Sequence, residues 1–200
     1  MKFFYSLTLS LGLLLSAKSM ASDTTMDLVM RALDISLAVE LEENLIDWKV
    51  GDSADYKITI PSMPIPMSMN KKVTQDTGEA LWMVSKVTGI MPQTSEVLIR
   101  KADGKILKMI QNGKEQPIPT NDGIQIISSD PAEITVPAGT FKVVKIVAKT
   151  SDGHDLSVWM NPNVIPMEGS AKQDITANGT NVILEPVSYT HLRAHETGRN

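Results

Sequence analysis

Apolar and polar residues alternate over several short segments after residue 50. Tyr56, Ile58 and Ile60 alternate with Lys57 and Thr59, and the other segments are likewise rich in β-branched residues. The further segments are 67–73, 79–87, 97–102, 105–110, 134–136, 141–148, 156–160 and 181–184. Alternation with a period of two is typical of half-buried strands, and nothing of helical length lies between these segments to make parallel crossovers. The pattern predicts a mainly β fold, an antiparallel sheet of about eight or nine strands.

Tight turns between these segments are predicted by five Asn-Gly or Asp-Gly pairs, because such pairs readily adopt the positive φ angles of hairpin turns. The pairs are Asp103-Gly104, Asn112-Gly113, Asp122-Gly123, Asp152-Gly153 and Asn178-Gly179. A two-residue turn at the first pair would place Leu98 opposite Met109 and Val97 opposite Ile110, as apolar cross-strand pairs.

Residues 26–46 fit two patterns. Leucines at positions 33, 37, 41 and 45 follow Val29 at intervals of four, as on one stripe of a helix, whereas positions 33–41 also alternate strictly, as in a strand. The length favours one N-terminal helix, which a threonine at position 24 or 25 would cap. A helix that is apolar on two faces must be buried, most simply against a curved sheet.

The first residues predict export. Lys2 precedes an apolar run from Phe3 to Leu15, and Ser19 and Ala21 are the small residues of a cleavage site. The run is too short to cross about 30 Å of hydrocarbon. We therefore expect residues 1–21 to be a signal peptide, cleaved after Ala21. No later segment is long and apolar enough to span a membrane. An exported chain without cysteine is typical of a periplasmic or secreted bacterial protein, which is the expected location.

The last residues, VSYTHLRAHETGRN from Val187, have no apolar period. They resemble the translated sequencing-adapter tail that ends many unrelated metagenomic open reading frames. We expect residues 187–200 to be a disordered, non-native tail, so that His191 and His195 are not metal ligands. A single β-rich domain is then expected over residues 22–186, a length that suits one hydrophobic core.

The net charge limits the classes of partner that the chain can bind, and the cysteine content excludes disulfide bonds. Without the two ends, Lys and Arg fall from 19 to 15 and Asp and Glu from 23 to 22, which leaves a net charge near −7. An acidic chain without basic runs argues against nucleic acid and against anionic membrane surfaces. The chain has no cysteine, so no disulfide bonds stabilise the fold.

Catalytic chemistry has little support in the sequence. His154 is the one histidine of residues 22–186, and it lies in a Gly-containing turn between Asp152 and Asp155. A triad needs a nucleophile, a base and an orienting acid that converge in the fold, whereas acids beside a turn glycine are typical of a solvated hairpin tip. No nucleophile, zinc or phosphate-loop motif is present. We expect no enzymatic activity, no catalytic residues and no cofactor.

A metal site is also not expected. Met63, Met67 and Met69 carry thioethers that can bind Cu(I). Methionine more commonly fills irregular gaps in a core, and the prolines at positions 64 and 66 mark a loop or an edge strand.

Large apolar side chains are the remaining candidates for binding. Trp82 and Trp159 either pack in the core or line a pocket for an apolar ligand. Val158 and the apolar residues that alternate along the strand lie on one face, and Trp159 lies on the other face. Flexible methionines suit an acyl chain better than a planar or charged ligand. Trp82, Trp159, Met83 and Met109 are therefore the predicted ligand-binding residues.

Several short motifs, in order, resemble a known family. They are Trp48-Lys49-Val50-Gly51-Asp52 followed by Tyr56, then Val136-Pro137-Ala138-Gly139-Thr140-Phe141, then Val158-Trp159-Met160-Asn161-Pro162, and Lys172. This order is similar to uncharacterised secreted bacterial proteins related to the lipoprotein-carrier (LolA-like) half-barrels, over residues 48–184. The resemblance implies a curved antiparallel sheet around an apolar concavity, partly closed by a helix. It implies no catalytic residues.

The expected function is that of an exported, non-enzymatic domain that binds an apolar ligand or a lipidated partner in the concavity of its sheet. The alternative is an interaction or structural module of the cell envelope that has no small ligand. A continuous apolar concave face would favour the first function, and a filled core with exposed aromatic residues would favour the second.

Overall fold

The computed structural model describes residues 10–11, 35–36, 46–90, 92–118, 124–150, 153–161, 164–165, 167, 169–177 and 179–190. These residues form thirteen strands. The strands are β1 (Ser10–Leu11), β2 (Ile35–Ser36), β3 (Ser53–Ile60), β4 (Met63–Asp76), β5 (Ala80–Thr88), β6 (Gln93–Arg100), β7 (Ile106–Gln111), β8 (Lys114–Gln116), β9 (Ile124–Val136), β10 (Gly139–Thr150), β11 (Asp155–Met160), β12 (Ser170–Ala177) and β13 (Thr180–Thr190).

Eleven of the strands form one open antiparallel sheet in the order β8-β7-β6-β5-β4-β3-β13-β12-β11-β10-β9. The mainly β prediction is confirmed, but the predicted count of eight or nine strands is too low. Polar composition hid the additional strands: β8 is Lys-Glu-Gln, and β9 contains Ser128, Ser129, Asp130 and Pro131. Backbone pairing alone holds such residues in a sheet, since it does not require apolar side chains.

The connection between the two edge strands requires the sheet to curl. The chain runs outward from β3 to the edge strand β8, continues to the opposite edge strand β9, and returns inward to β13 beside β3. The eight steps from Gln116 to Ile124 span at most about 28 Å. A flat sheet of eleven strands would be about 48 Å wide. The two edges of this open sheet must therefore approach each other where the linker joins them, and the half-barrel itself stays a prediction.

Two hairpins follow the turn chemistry of the sequence. Asn112 and Gly113 have φ angles of 48° and 78°, and Gln111 pairs with Lys114 on either side of them. Positive φ at both central residues is the requirement of a type I′ turn. Ala177 likewise pairs with Thr180 across a two-residue turn.

The turn at Asp103-Gly104 is longer than predicted. Gly104 has the expected positive φ of 70°, but the Arg100 N–H bonds to Lys105 O at 2.9 Å, which closes a turn of more than two residues. The Arg100 guanidinium also donates to the Asp103 carboxylate, with 2.8 Å between Nε and Oδ1. The predicted register is wrong by one residue: Val97 lies opposite Met109.

The predicted N-terminal features fall largely outside the described residues. Of the signal peptide over residues 1–21 only Ser10–Leu11 is described, and it pairs with Ile35–Ser36 as a short strand. Of the predicted helix over residues 26–46 only Ile35, Ser36 and Ile46 are described, and the described part of the chain contains no helix. The N-terminal helix is therefore not confirmed.

The last strand continues beyond the predicted end of the domain. β13 extends to Thr190, and its last residues Ser188, Tyr189 and Thr190 pair with β3 after an irregularity that follows Pro186. Main-chain pairing thus includes this segment in the sheet although it has no apolar period, and the domain boundary at residue 186 stays a prediction. Residues 191–200 lie outside the described part.

Candidate functional site

One face of the sheet carries a large cluster of buried apolar side chains. The cluster extends from Met109 on β7 to Ile146 and Ala148 on β10, through every strand between them. Side chains that are partners in antiparallel register point to the same face, so the cluster defines what we call the inner face.

Methionine dominates one part of the inner face. The cluster contains six methionines: Met67, Met69, Met83, Met109, Met160 and Met167. Met83 on β5 lies opposite Val97 on β6, and Val97 lies opposite Met109 on β7. The two methionines that the sequence predicted as ligand-binding residues thus share one cross-strand row, and both are buried.

The two predicted tryptophans lie on the other face. Trp82 pairs with Leu98. Its neighbours in sequence, Leu81 and Met83, are buried and face inward. Trp159 alternates with the inward-facing Val158 and packs against a separate cluster that includes Phe141 and Val143. The structure therefore does not bring the four predicted residues together, because the strand period places neighbours in sequence on opposite faces. Any role of these four residues in binding stays a prediction.

Lysine side chains flank Trp159 on this outer face. The ammonium groups of Lys145 and Lys172 lie 5.0 and 5.5 Å from the ring centroid, within the range of cation–π attraction. Lys172 also lies 3.5 Å from Glu185. Trp159 is thus fixed by charged neighbours and by the second cluster, away from the inner face.

Trp48 is the tryptophan that contacts the inner cluster. It packs against the cluster together with Ile46, ahead of the first strand of the large sheet. The turn that follows fixes its position: the Asp52 carboxylate accepts the Lys49 N–H at 2.9 Å, and Gly51 N–H donates to Val73 O at 2.9 Å. Trp48 opens one of the motifs that carry the family resemblance, but it was not among the predicted ligand-binding residues. The turn motif after it was the available signal.

Polar side chains, among them Lys71, Gln93 and Gln173, are also buried on the inner face. Lys71, Gln93 and Gln173 are 3 %, 5 % and 2 % exposed. Gln173 lies between Val158 and Leu184 in cross-strand register. Its Oε1 atom, like that of Gln93, has no hydrogen-bond partner among the residues that the structure describes. Buried amide oxygens are normally bonded, so these atoms mark polar positions within an apolar surface.

The hairpin histidine and the methionine motif lie in different parts of the sheet, near β11 and on β4. His154 is half-buried just before β11. Met67 and Met69 are buried on the inner face, and Met63 is partly buried against the same cluster. In the described ranges, no group of three His, Asp or Glu side chains could hold a metal ion. No helix there is long and apolar enough to cross a membrane.

Comparison with known proteins identifies no family. No family model matches the sequence, and no curated protein is significantly similar to it. Three solved bacterial structures are similar to this chain at low identity and at TM-scores below 0.5. A hypothetical protein from Chlamydia trachomatis is 11 % identical, with a TM-score of 0.48 over 76 % of this chain and 93 % of the other.

The second structure is a candidate exported protein with a YmcC-like fold from Bacteroides fragilis. It is 10 % identical, with a TM-score of 0.46 over 74 % of this chain and 99 % of the other. The third is a candidate lipoprotein from Parabacteroides distasonis, 9 % identical, with a TM-score of 0.42 over 75 % and 100 % of the two chains. The resemblance to LolA-like half-barrels stays a prediction.

Proposed function

We propose that this protein is an exported, non-enzymatic domain of the bacterial envelope that binds an acyl chain on the inner face of its sheet. The acyl chain belongs to a lipid or to a lipidated protein. The single observation that carries the proposal is the continuous apolar inner face, in which half of the chain's twelve methionines are buried. Unbranched thioether side chains repack around a flexible ligand more readily than branched or aromatic ones.

The energy available is sufficient for a specific complex. Burial of about ten methylenes, at roughly 0.8 kcal/mol each, gives a gross gain near 8 kcal/mol. Loss of translational freedom and ordering of the chain remove much of this gain. We therefore expect a complex of about micromolar affinity, which suits reversible binding.

A direct test uses a fluorescent fatty-acid probe and two matched variants. Met109→Trp places a large ring on the inner face, and Lys108→Trp places the same ring on the outer face of the same strand. The first variant should raise the Kd of the probe about tenfold or more, whereas the second should leave the Kd unchanged.

The test has clear opposing outcomes. The wild-type protein should bind the probe saturably and release it to unlabelled lipid, and lipid should be recovered from natively purified protein. The proposal fails if the probe does not saturate and no lipid is recovered. Equal weakening by both variants would also argue against binding on the inner face.

The edge strand β9 favours a second candidate function, an interaction module without a small ligand. β9 has 13 residues and no strand on its outer side in the described part of the chain. Ile126 and Ile127 are 43 % and 60 % exposed near its start. A long edge with exposed apolar residues can pair with an extended segment of another protein. This function would be supported if the protein binds a partner but no lipid, and if Ile127→Lys abolishes the binding of that partner.

A further inference from the structure

Two neighbouring connections at one end of the sheet expose apolar side chains. Ile65, at the start of β4, is 45 % exposed, and Ile90, between β5 and β6, is 40 % exposed. Pro61 between β3 and β4, Pro66 on β4 and Pro92 ahead of β6 are exposed as well. We call these five residues the apolar tips.

The two connections are in direct contact. A Cβ atom on Gly89 would lie 2.8 Å from Cγ of Met67 and 3.1 Å from the carbonyl oxygen of Pro66. Beside this contact, the hydroxyl oxygens of Ser68 on β4 and Thr88 on β5 lie 2.8 Å apart. Glycine permits the close approach because it has no side chain. The apolar tips therefore form one surface that projects from the end of the sheet.

The chain around the apolar tips carries no charge. Residues 58–70 and 87–95 contain no Asp, Glu, Lys, Arg or His. Turns are commonly built from polar residues and glycine, as in the exposed turn at Asn112 and Gly113, which joins β7 to β8 at the same end of the sheet. Exposed isoleucine and proline residues are thus not a requirement of the turns. A contiguous apolar patch of this kind marks an interaction site.

Charges of both signs begin at a similar distance from the tips. Lys57 lies three residues before the end of β3, and Lys86 lies four residues before Ile90. Both lysines are exposed, and the first charged residue of β6 is Glu96, which is half-buried. At about 3.3 Å per residue, these charges lie about 10–13 Å from the tips. The uncharged layer at this end of the sheet is therefore about 10 Å deep.

We propose that the apolar tips insert into the surface of a zwitterionic lipid bilayer and hold the domain at a membrane. Apolar groups of interfacial proteins enter the boundary between head groups and acyl chains to a depth of about 5–10 Å. Insertion to this depth places Lys57, Lys86 and Glu96 among head groups that also carry both signs of charge. The chain has a net charge of −4, which favours a neutral membrane over an anionic one.

Proline reduces the cost of insertion. Its ring fixes φ near −65°, so Pro61, Pro66 and Pro92 have little backbone freedom to lose when the tips enter the bilayer. The inference goes beyond the proposed function, because it concerns the end of the sheet and not its inner face.

The experiment measures how much of the exported protein sediments with phosphatidylcholine vesicles. The wild-type protein should bind saturably, and high salt should change its affinity less than about twofold, because salt does not screen the insertion of uncharged groups. Ile65→Asp combined with Ile90→Asp should weaken binding at least about tenfold. Leu107→Asp is the matched control: Leu107 is also 40 % exposed, but it lies at the opposite end of the sheet, near the start of β7. This variant should retain the wild-type affinity.

A fluorescent variant locates the contact without introducing a charge. The emission added by Ile90→Trp should shift to shorter wavelength when vesicles are present, and that added by Leu107→Trp should not. The inference is overturned if the wild-type protein binds no vesicles, if the aspartate variants at the two ends weaken binding equally, or if Trp at position 90 shows no shift. Binding of a protein at the tips, without vesicle binding, would overturn it as well. Vesicle binding is measured without the fatty-acid probe, so failure of the proposed function would leave this result standing.

Discussion

The rings of Phe141 and Tyr189 lie 6.4 Å apart between their centroids, at an angle of 49°. Phe141 follows the turn between β9 and β10. Tyr189 is one of the last residues of β13 that pair with β3. The N–H of Ala138, in the turn between β9 and β10, donates to Pro186 O at 3.1 Å. These contacts connect the β9–β10 hairpin to the centre of the sheet.

The contact predicts that the end of β13 stabilises the domain. Tyr189→Ala should lower the free energy of unfolding by about 1–2 kcal/mol, because a tilted aromatic pair and its buried area are lost. Tyr189→Phe, which keeps the ring, is the matched control. A chain that ends at Pro186 should melt several degrees below one that ends at Thr190. Equal melting temperatures for these two chains would mean that the final pairing contributes nothing.

Gly104 predicts a backbone effect. Its φ of 70° is strained for any residue with a Cβ atom, and most of all for a β-branched one. Gly104→Val should therefore lower the free energy of unfolding by about 1–2 kcal/mol in a denaturant titration. Gly104→Asn should cost less, because asparagine tolerates the left-handed region. Equal losses for the two variants would point to side-chain crowding instead of backbone strain.

Asp103 predicts a stability change in acid. The hydrogen bond from Arg100 lowers the pKa of the Asp103 carboxyl from 3.8 to about 2. A carboxyl with a depressed pKa in the folded state stabilises the protein above the unfolded pKa, and this contribution is lost as pH falls through the folded pKa. Wild type should exceed Asp103→Asn in stability at pH 5, and the difference should disappear between about pH 4 and pH 2. A constant difference over this range would contradict the assigned interaction.

Tryptophan emission provides a test of the binding face. Trp48 packs against the inner cluster, whereas Trp82 and Trp159 lie on the outer face. An acyl chain on the inner face should change mainly the emission of Trp48. Trp48→Phe should therefore abolish most of the ligand-induced change, and Trp159→Phe should retain it. The opposite result would place the ligand on the outer face, beside Lys145 and Lys172.

Alternation in the sequence predicted the faces of the sheet more reliably than its registers. The period of two placed Trp159 opposite Val158, and the structure confirms this arrangement. The pairing of Leu98 with Met109 was wrong because register depends on turn length, which the Arg100 side chain and Asp103 lengthen. A turn of that kind is set by side-chain hydrogen bonds that a Gly-containing dipeptide does not reveal.

The candidate site depended on relationships between distant strands. Met83 and Met109 were predicted as apolar residues of one surface, but the pairing that aligns Lys71 with Ser85 and Ser95 cannot be derived from any one segment. Nor does local sequence indicate that β3 lies beside β13. This row of polar residues was missed because each of them, taken alone, is an ordinary polar residue of a strand.

The pairing of β3 with β13 also affects how the chain folds. In the large sheet, the β3–β13 pair alone joins strands that are distant in sequence. All the remaining pairs join consecutive strands of the chain. Hairpins between consecutive strands close short loops and form quickly, whereas long-range pairing is slow. We expect β3–β8 and β9–β13 to form as separate meanders that join last, as pulse-labelled hydrogen exchange would detect. A chain cut within residues 119–123 would then supply two fragments that associate through this single ladder.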